Sequence, residues 1–184
     1  MEMEEKEYPK RKNHRLKYYD YSQNGAYFIT MCTYDRQKLF GEIKFDENGM
    51  VISSEETEKY PTGHTVGADA LSARMVSEVY YELINKYDGY GSLGFVVMPD
   101  HVHFVVSITR ADMESAPTEI PKFVQEFKRY TTIKYIGLVK QNILPPFHLH
   151  VWQRDYIDRV IRSRDELYEV RKYIKQNPVR VMYE

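Results

Sequence analysis

The run Val96-Val97-Met98-Pro99-Asp100-His101-Val102-His103-Phe104-Val105-Val106 constrains this chain more than any other stretch. Pro99-Asp100 reads as a turn between two apolar segments. That gives a hairpin, with Leu93–Met98 as one arm and His101–Ile108 as the other. In a strand, residues i and i+2 point to the same face. His101 and His103 therefore project side by side, close enough to share one metal ion, while Val102 points into the opposite layer. An isolated His-x-His pair in an apolar strand is more often structural than ligating, so the rest of the chain has to decide.

The 184 residues suit one domain with a sizeable core. With 42% apolar and 29% charged residues, the composition is globular and excludes a disordered chain. A single cysteine, Cys32, excludes an internal disulfide and fits a reducing compartment. No apolar run reaches membrane-spanning length, and the acidic start Met1–Glu7 lacks the apolar stretch of a secretory signal, so the expectation is a cytoplasmic protein with no membrane partner.

Residues 1–20 read as a flexible basic arm and residues 21–184 as one domain. The element order is a strand at Ala26–Tyr34, then a hairpin of Phe40–Ile43 and Met50–Ser53 around Asn48-Gly49. A loop over 54–70 and a helix over Leu71–Tyr87 follow, then a turn at Gly89–Gly94 and the histidine hairpin. A second helix opens at Ile120-Pro121 and runs to about Tyr135. Phe147–Trp152 is short and extended. The last helix opens after Ser163 as N-cap and ends near Asn177, ahead of Pro178. This order gives an α+β domain with a largely antiparallel sheet.

The net charge of −1 hides a segregated distribution. Lysine and arginine gather in residues 9–19, 122–140 and 154–180, and acid in residues 41–60. That pattern permits a basic face, though solvated helix surfaces would give it too. The 17 tyrosines could stack on unpaired bases or fill a core edge.

Near the C-terminus, Tyr173 and Asn177 are four residues apart and share one helical face. An amide oxygen there could serve as a third metal ligand and a tyrosine hydroxyl could reach the same group; core packing for Tyr173 and a C-terminal cap for Asn177 are the plainer alternatives.

Met98-Pro99-Asp100-His101-Val102-His103, followed by Trp152-Gln153-Arg154-Asp155-Tyr156 and Tyr173-Ile174-Lys175-Gln176-Asn177-Pro178-Val179-Arg180, resembles the single-tyrosine transposases of the HUH endonuclease superfamily. The resemblance is nearest to the branch associated with repetitive extragenic palindromes and spans about Ala26 to Arg180. It implies an RRM/ferredoxin-like antiparallel sheet with flanking helices. It also implies that His101, His103 and Asn177 hold a divalent metal, Mg²⁺ or Mn²⁺, and that Tyr173 is the nucleophile forming a 5′-phosphotyrosine. The implied partner is single-stranded or hairpin DNA, met at the nucleoid, and a homodimer is left open. Arg154, Arg159, Arg162, Lys128 and Arg129 are candidate phosphate contacts, and Trp152 and Tyr156 candidate stacking platforms. Tyr130 is the rival nucleophile. His148-Leu149-His150, a second His-x-His pair, has no counterpart in the family pattern. Two other classes remain: a non-catalytic RRM-like nucleic-acid binder stacking bases on Tyr27, Phe28 and Phe104, and a metal-dependent hydrolase built on His101, His103, His148 and His150.

Overall fold

A computed structural model describes residues 23–45, 47, 65–66, 71–109 and 120–180. Five strands, three α-helices and a 3-10 turn at Tyr34–Arg36 make up the regular structure of these residues. The strands and α-helices are β1 (Gly25–Cys32), β2 (Thr65–Val66), α1 (Leu71–Lys86), β3 (Tyr90–Met98), β4 (His101–Ile108), α2 (Ile120–Lys140), β5 (Ile157–Ile161) and α3 (Arg164–Arg180). The sheet order is β2-β3-β4-β1-β5. Every pairing is antiparallel except the short parallel edge of β2 on β3. The α+β class and the antiparallel sheet are thus as expected.

Period-two alternation sorts the side chains into two layers. From β1, Tyr27, Ile29 and Met31 are buried on one face, and from β4 so are Val102, Phe104, Val106 and Ile108. Helices α1 and α2 cover this face with Val76, Val79, Tyr80, Leu83, Phe123, Val124 and Phe127. Aromatic rings dominate it: Tyr80 stacks on Phe95 at 4.2 Å between centroids. Part of the tyrosine surplus is therefore core: Tyr27, Tyr80 and Tyr135 are fully buried.

The opposite face carries a smaller cluster under α3, built from Val96, Met98, Val105, Ile161, Val170 and Ile174. The register puts Val96 beside His103 and His103 beside Thr30, with Met98, His101 and Cys32 forming the next row. The histidines therefore lie on the α3 face, at the end of the sheet closed by the Pro99-Asp100 turn. Gly94 lets α3 seat closely: a methyl group there would come within 3.3 Å of Ile174 Cδ1. The neighbour of Ile174 is Tyr173, so this close approach helps set the position of the tyrosine.

The N-terminus of α3 is fixed by a reciprocal cap. The Glu166 amide donates to Ser163 Oγ at 3.1 Å, and the Glu166 carboxylate accepts from the Arg162 amide at 2.8 Å. The same carboxylate pairs with Arg159 of β5 at 3.2 Å, tying the helix to the sheet edge.

Several expected boundaries differ. The predicted arm at Phe40–Ile43 forms no strand, and Phe40 is instead fully buried against Trp152; its partner segment and residues 1–20 lie outside the described residues. Strand β2 falls within the predicted loop 54–70. Strand β3 begins at Tyr90, inside the predicted turn, and a bulge between Ser92 and Gly94 absorbs the irregular sequence. Helix α2 runs past Tyr135 to Lys140 and stops at Asn142, whose φ of 57° permits a left-handed termination in which the Ile143 amide bonds the Leu138 carbonyl. Phe147–Trp152 contributes only an isolated bridge between Trp152 and Thr33. Strand β5 was not expected, because Asp158 and Arg159 give it the charged look of an edge strand. Helix α3 carries Pro178 in its last turn rather than ending before it.

Candidate active site

His101 and His103 stand on the α3 face of β4 with ring centroids 4.7 Å apart. His103 is almost fully buried, at 4% exposure. Tyr173 of α3 packs over it: its hydroxyl lies 3.3 Å from His103 Nε2, and the rings are 5.1 Å apart. Phe28 of β1 completes the pocket, stacked on His103 at 5.5 Å and edge-on to Tyr173 at 6.1 Å.

Each histidine is held by its Nδ1. For His101 the partner is Asp100 Oδ1 at 2.6 Å. Burial pushes the Asp100 carboxyl up. Its hydrogen bond to His101, with the charges of His101 and Arg36, outweighs that and holds it below the ordinary carboxylate range. An ionised carboxylate only accepts, so His101 Nδ1–H donates to it. Asp100 is fixed in turn by Arg36 Nε at 3.0 Å, and its backbone carbonyl accepts from the Thr33 amide and hydroxyl. Asp35 and Arg36 both have positive φ, 55° and 54°, a strained conformation that brings the guanidinium onto the carboxylate.

His103 Nδ1 lies 2.8 Å from Thr30 Oγ1. With Nδ1–H donating to Thr30, Nε2 is the acceptor that faces Tyr173. Burial, aided by the nearby His101 and Arg36 charges, pushes the His103 imidazole down to about 3, so it is neutral across the physiological range. A neutral imidazole with Nδ1 restrained and a lone pair on Nε2 is the form in which histidine ligates metals.

Asn177 follows Tyr173 by one turn of α3, buried at 7% exposure, and its side-chain amide has no hydrogen-bond partner among the described residues. Two restrained imidazoles are nitrogen donors of the kind a divalent cation takes in mixed N/O ligation, and Asn177 lies one helical turn from Tyr173. No group of three His, Cys, Asp or Glu among the described residues could hold a metal, so His148 and His150 do not join His101 and His103 in a four-histidine centre. His148 and His150 are exposed and lie against the Tyr34 ring.

The other predicted contacts divide by location. Arg159 is exposed on the histidine face, its guanidinium 5.9 Å from the centre of the Phe28 ring. Arg162 is exposed at the start of α3 and Arg154 in the turn before β5. Trp152 is corrected: it is core, 6% exposed, packed on Phe40 and Phe127, with its indole N–H donating to Thr131 at 2.8 Å. It has no free face for a base. The ammonium of Lys128 donates to the carbonyls of Gln153, Arg154 and Asp155 and lies over the half-buried Tyr156 ring. These bonds brace the turn into β5 and engage both Lys128 and Tyr156. Lys128 and the exposed Arg129 sit on α2, which covers the sheet face opposite the histidines. Of the three aromatics an RRM-like binder would stack bases on, Tyr27 and Phe104 are fully buried and Phe28 is half-buried on the histidine face. Sequence reasoning missed Asp100, Arg36 and Thr30 as site residues, and named Phe28 only as a stacking residue of the RRM-like alternative. Only Asp100, adjacent to His101, left a readable signal.

The family model described as "Transposase IS200 like" matches residues 66–177, more than half of the chain and the whole stretch from the histidine hairpin to Asn177. The chain belongs to this family. It is accordingly an enzyme of DNA transposition. An uncharacterized protein of Haemophilus influenzae is 22% identical over 178 residues, covering 92% of this chain and 88% of that protein. Among solved structures, a REP-associated tyrosine transposase bound to a REP hairpin matches with a TM-score of 0.55 at 17% identity, covering 92% of this chain and 76% of its own. At that identity the likeness establishes the shared fold. No helix among the described residues is long and apolar enough to cross a membrane.

The buried neutral His103 has a consequence for stability. Below its ordinary pKa of about 6.5, the unfolded chain takes up a proton that the folded chain refuses until about pH 3. Stability is therefore expected to fall as pH drops through this window, by about 1.4 kcal/mol per unit at most. Urea unfolding without added metal, at pH 7 and pH 5, should show a loss of about 2 kcal/mol. His103→Gln should flatten that slope; an equally steep slope in the variant would contradict the assignment.

Proposed function

We propose that this transposase cleaves and rejoins single-stranded DNA beside a hairpin or palindrome, using Tyr173 as nucleophile and a divalent metal, Mg²⁺ or Mn²⁺, at His101, His103 and Asn177. The observation that carries this reading is the Tyr173 hydroxyl 3.3 Å from Nε2 of a buried, neutral His103, with His101 beside it on the same face. His101, His103 and Tyr173 meet within one chain. The hairpin ligand of the structurally similar REP-associated transposase supports the same substrate class.

A phosphodiester is anionic and resists attack by a phenol. A bound divalent ion supplies neutralisation of the charge that develops on the phosphate. The chain's own residues do the rest. Asp100 and Thr30 hold the imidazoles in the ligating tautomer. Phe28 and His103 fix the Tyr173 ring, so its oxygen is positioned before DNA arrives. Arg159, at the open edge above Phe28, is placed to meet a phosphate of the incoming strand. Attack by the Tyr173 oxygen forms a tyrosyl–phosphorus bond and breaks the bond to O3′. The phenol loses its proton, and the leaving oxygen gains one to become a 3′-OH. The phosphotyrosine conserves the phosphodiester energy, so attack by a 3′-OH reseals DNA without ATP. A DNA substrate puts this activity at the nucleoid.

The test is incubation with labelled single-stranded hairpin oligonucleotides and Mn²⁺, read on a denaturing gel. A protein–DNA adduct that chelator abolishes is expected, with hairpin DNA bound more tightly than blunt duplex and affinity falling as salt rises. Adduct formation undiminished by chelator would remove the metal from the account, and equal affinity for blunt duplex would remove the strand preference.

A further inference from the structure

Helix α3 has two flanks. Tyr173 occupies the one turned toward β1, while the other borders β3 and walls a groove of about 540 Å³ lined by Leu93, Gly94, Leu167 and Ile174 together with Arg164, Tyr168, Arg171, Lys172 and Lys175. At about 100° per residue, the four cations and Tyr168 fall within an arc of roughly 100°, and Asp165, Glu166 and Glu169 fall outside it. All five groove-facing polar residues of the helix are exposed, Tyr168 at 65%. Arg164, Arg171, Lys172 and Lys175 form no ion pair with any described residue; the acid nearest in sequence that is paired, Glu166, is engaged by Arg159.

We propose that this groove is a second DNA contact, binding the sugar–phosphate backbone of single-stranded DNA that flanks the cleavage point, with Tyr168 as the platform for one base. The inference rests on the tyrosine-transposase reading above, and locates a part of the substrate that the histidine site does not touch. Four uncompensated cations on an apolar floor, next to an exposed aromatic ring, are the combination that single-strand binding surfaces use. The groove and the Tyr173 site are separated only by the thickness of α3, roughly 10 Å, so one strand can occupy both by passing over or around the helix. The exposed Tyr168 ring offers a stacking face that an unpaired base can use and a paired one cannot, which favours a single strand over a duplex.

The experiment is fluorescence anisotropy with a labelled hairpin carrying a long single-stranded flank, compared with the same hairpin lacking it and with a blunt duplex, across a salt series. The variants are R171A/K175A and Tyr168→Ala, each checked by circular dichroism. Loss of two phosphate contacts should lower the steepness of log K against log salt by about 1.4 for the flanked hairpin. Tyr168→Ala should weaken that complex about 5-fold or more. Neither change should appear with the flankless hairpin. Unchanged slope and affinity on the flanked hairpin would overturn the proposal, as would a loss seen equally with blunt duplex. Adduct formation by wild-type protein, measured separately, reports on Tyr173: an intact adduct with an unaltered slope rejects the groove alone, and a reduced slope without any adduct upholds the groove and rejects the nucleophile.

Discussion

Tyr173→Phe is expected to abolish the covalent protein–DNA adduct, with cleavage reduced at least about 1,000-fold, while DNA binding and the fold persist. The substitution removes one oxygen. The ring can still pack edge-on to Phe28 and against His103, since those contacts belong to its carbon face and edge. The lost contact to His103 Nε2 is long at 3.3 Å, so stability should change by less than about 1 kcal/mol. Full-yield adduct from this variant would transfer the role to another tyrosine. Tyr130 is poorly placed for it, because it lies on α2, on the sheet face opposite the histidines. Tyr168 is on α3 but faces the other flank of the helix.

Removing the imidazoles should be as damaging, by a different route. His101→Ala and His103→Ala are expected to abolish cleavage and the Mn²⁺ binding read by calorimetry, while leaving the tyrosine in place. Asp100→Asn is the finer probe. It keeps the size of the side chain but removes the anion that fixes the His101 tautomer and pairs with Arg36. A 10–100-fold loss of metal affinity or cleavage is the expectation, the range typical of groups that orient a ligating histidine. Metal binding that survives His101→Ala at full strength, or that moves to His148 and His150, would contradict the ligand assignment.

The histidine hairpin was legible because a strand's period of two is rigid. Once Pro99-Asp100 is a turn, His101 and His103 must share a face, and Val102 and Phe104 must share the other. The pairing of Tyr173 with Asn177 on one side of α3 was legible from helical spacing for the same reason. What could not be read was anything set by distant partners. Trp152 and Lys128 look like nucleic-acid contacts in a list of residue types, yet Thr131 and three backbone carbonyls engage them. Arg36 reaches Asp100 across 64 positions of sequence through a strained loop that no local propensity favours. Strand β5 escaped because its alternation mixes Asp158 and Arg159 with isoleucine and valine, a pattern that only its pairing with β1 makes regular.

The most direct test of the account is to map the adduct. Wild-type protein is reacted with a single-stranded hairpin oligonucleotide and Mn²⁺, digested with trypsin and nuclease, and the phosphonucleotide-bearing peptide is sequenced by mass spectrometry. Arg171 and Lys172 separate Tyr168 from Tyr173, so the two tyrosines leave on different peptides. The nucleotide is expected on the peptide beginning at Tyr173. Its recovery on a peptide containing Tyr130 or Tyr168 would contradict the assignment of the nucleophile, and with it the role given to the His101–His103 face.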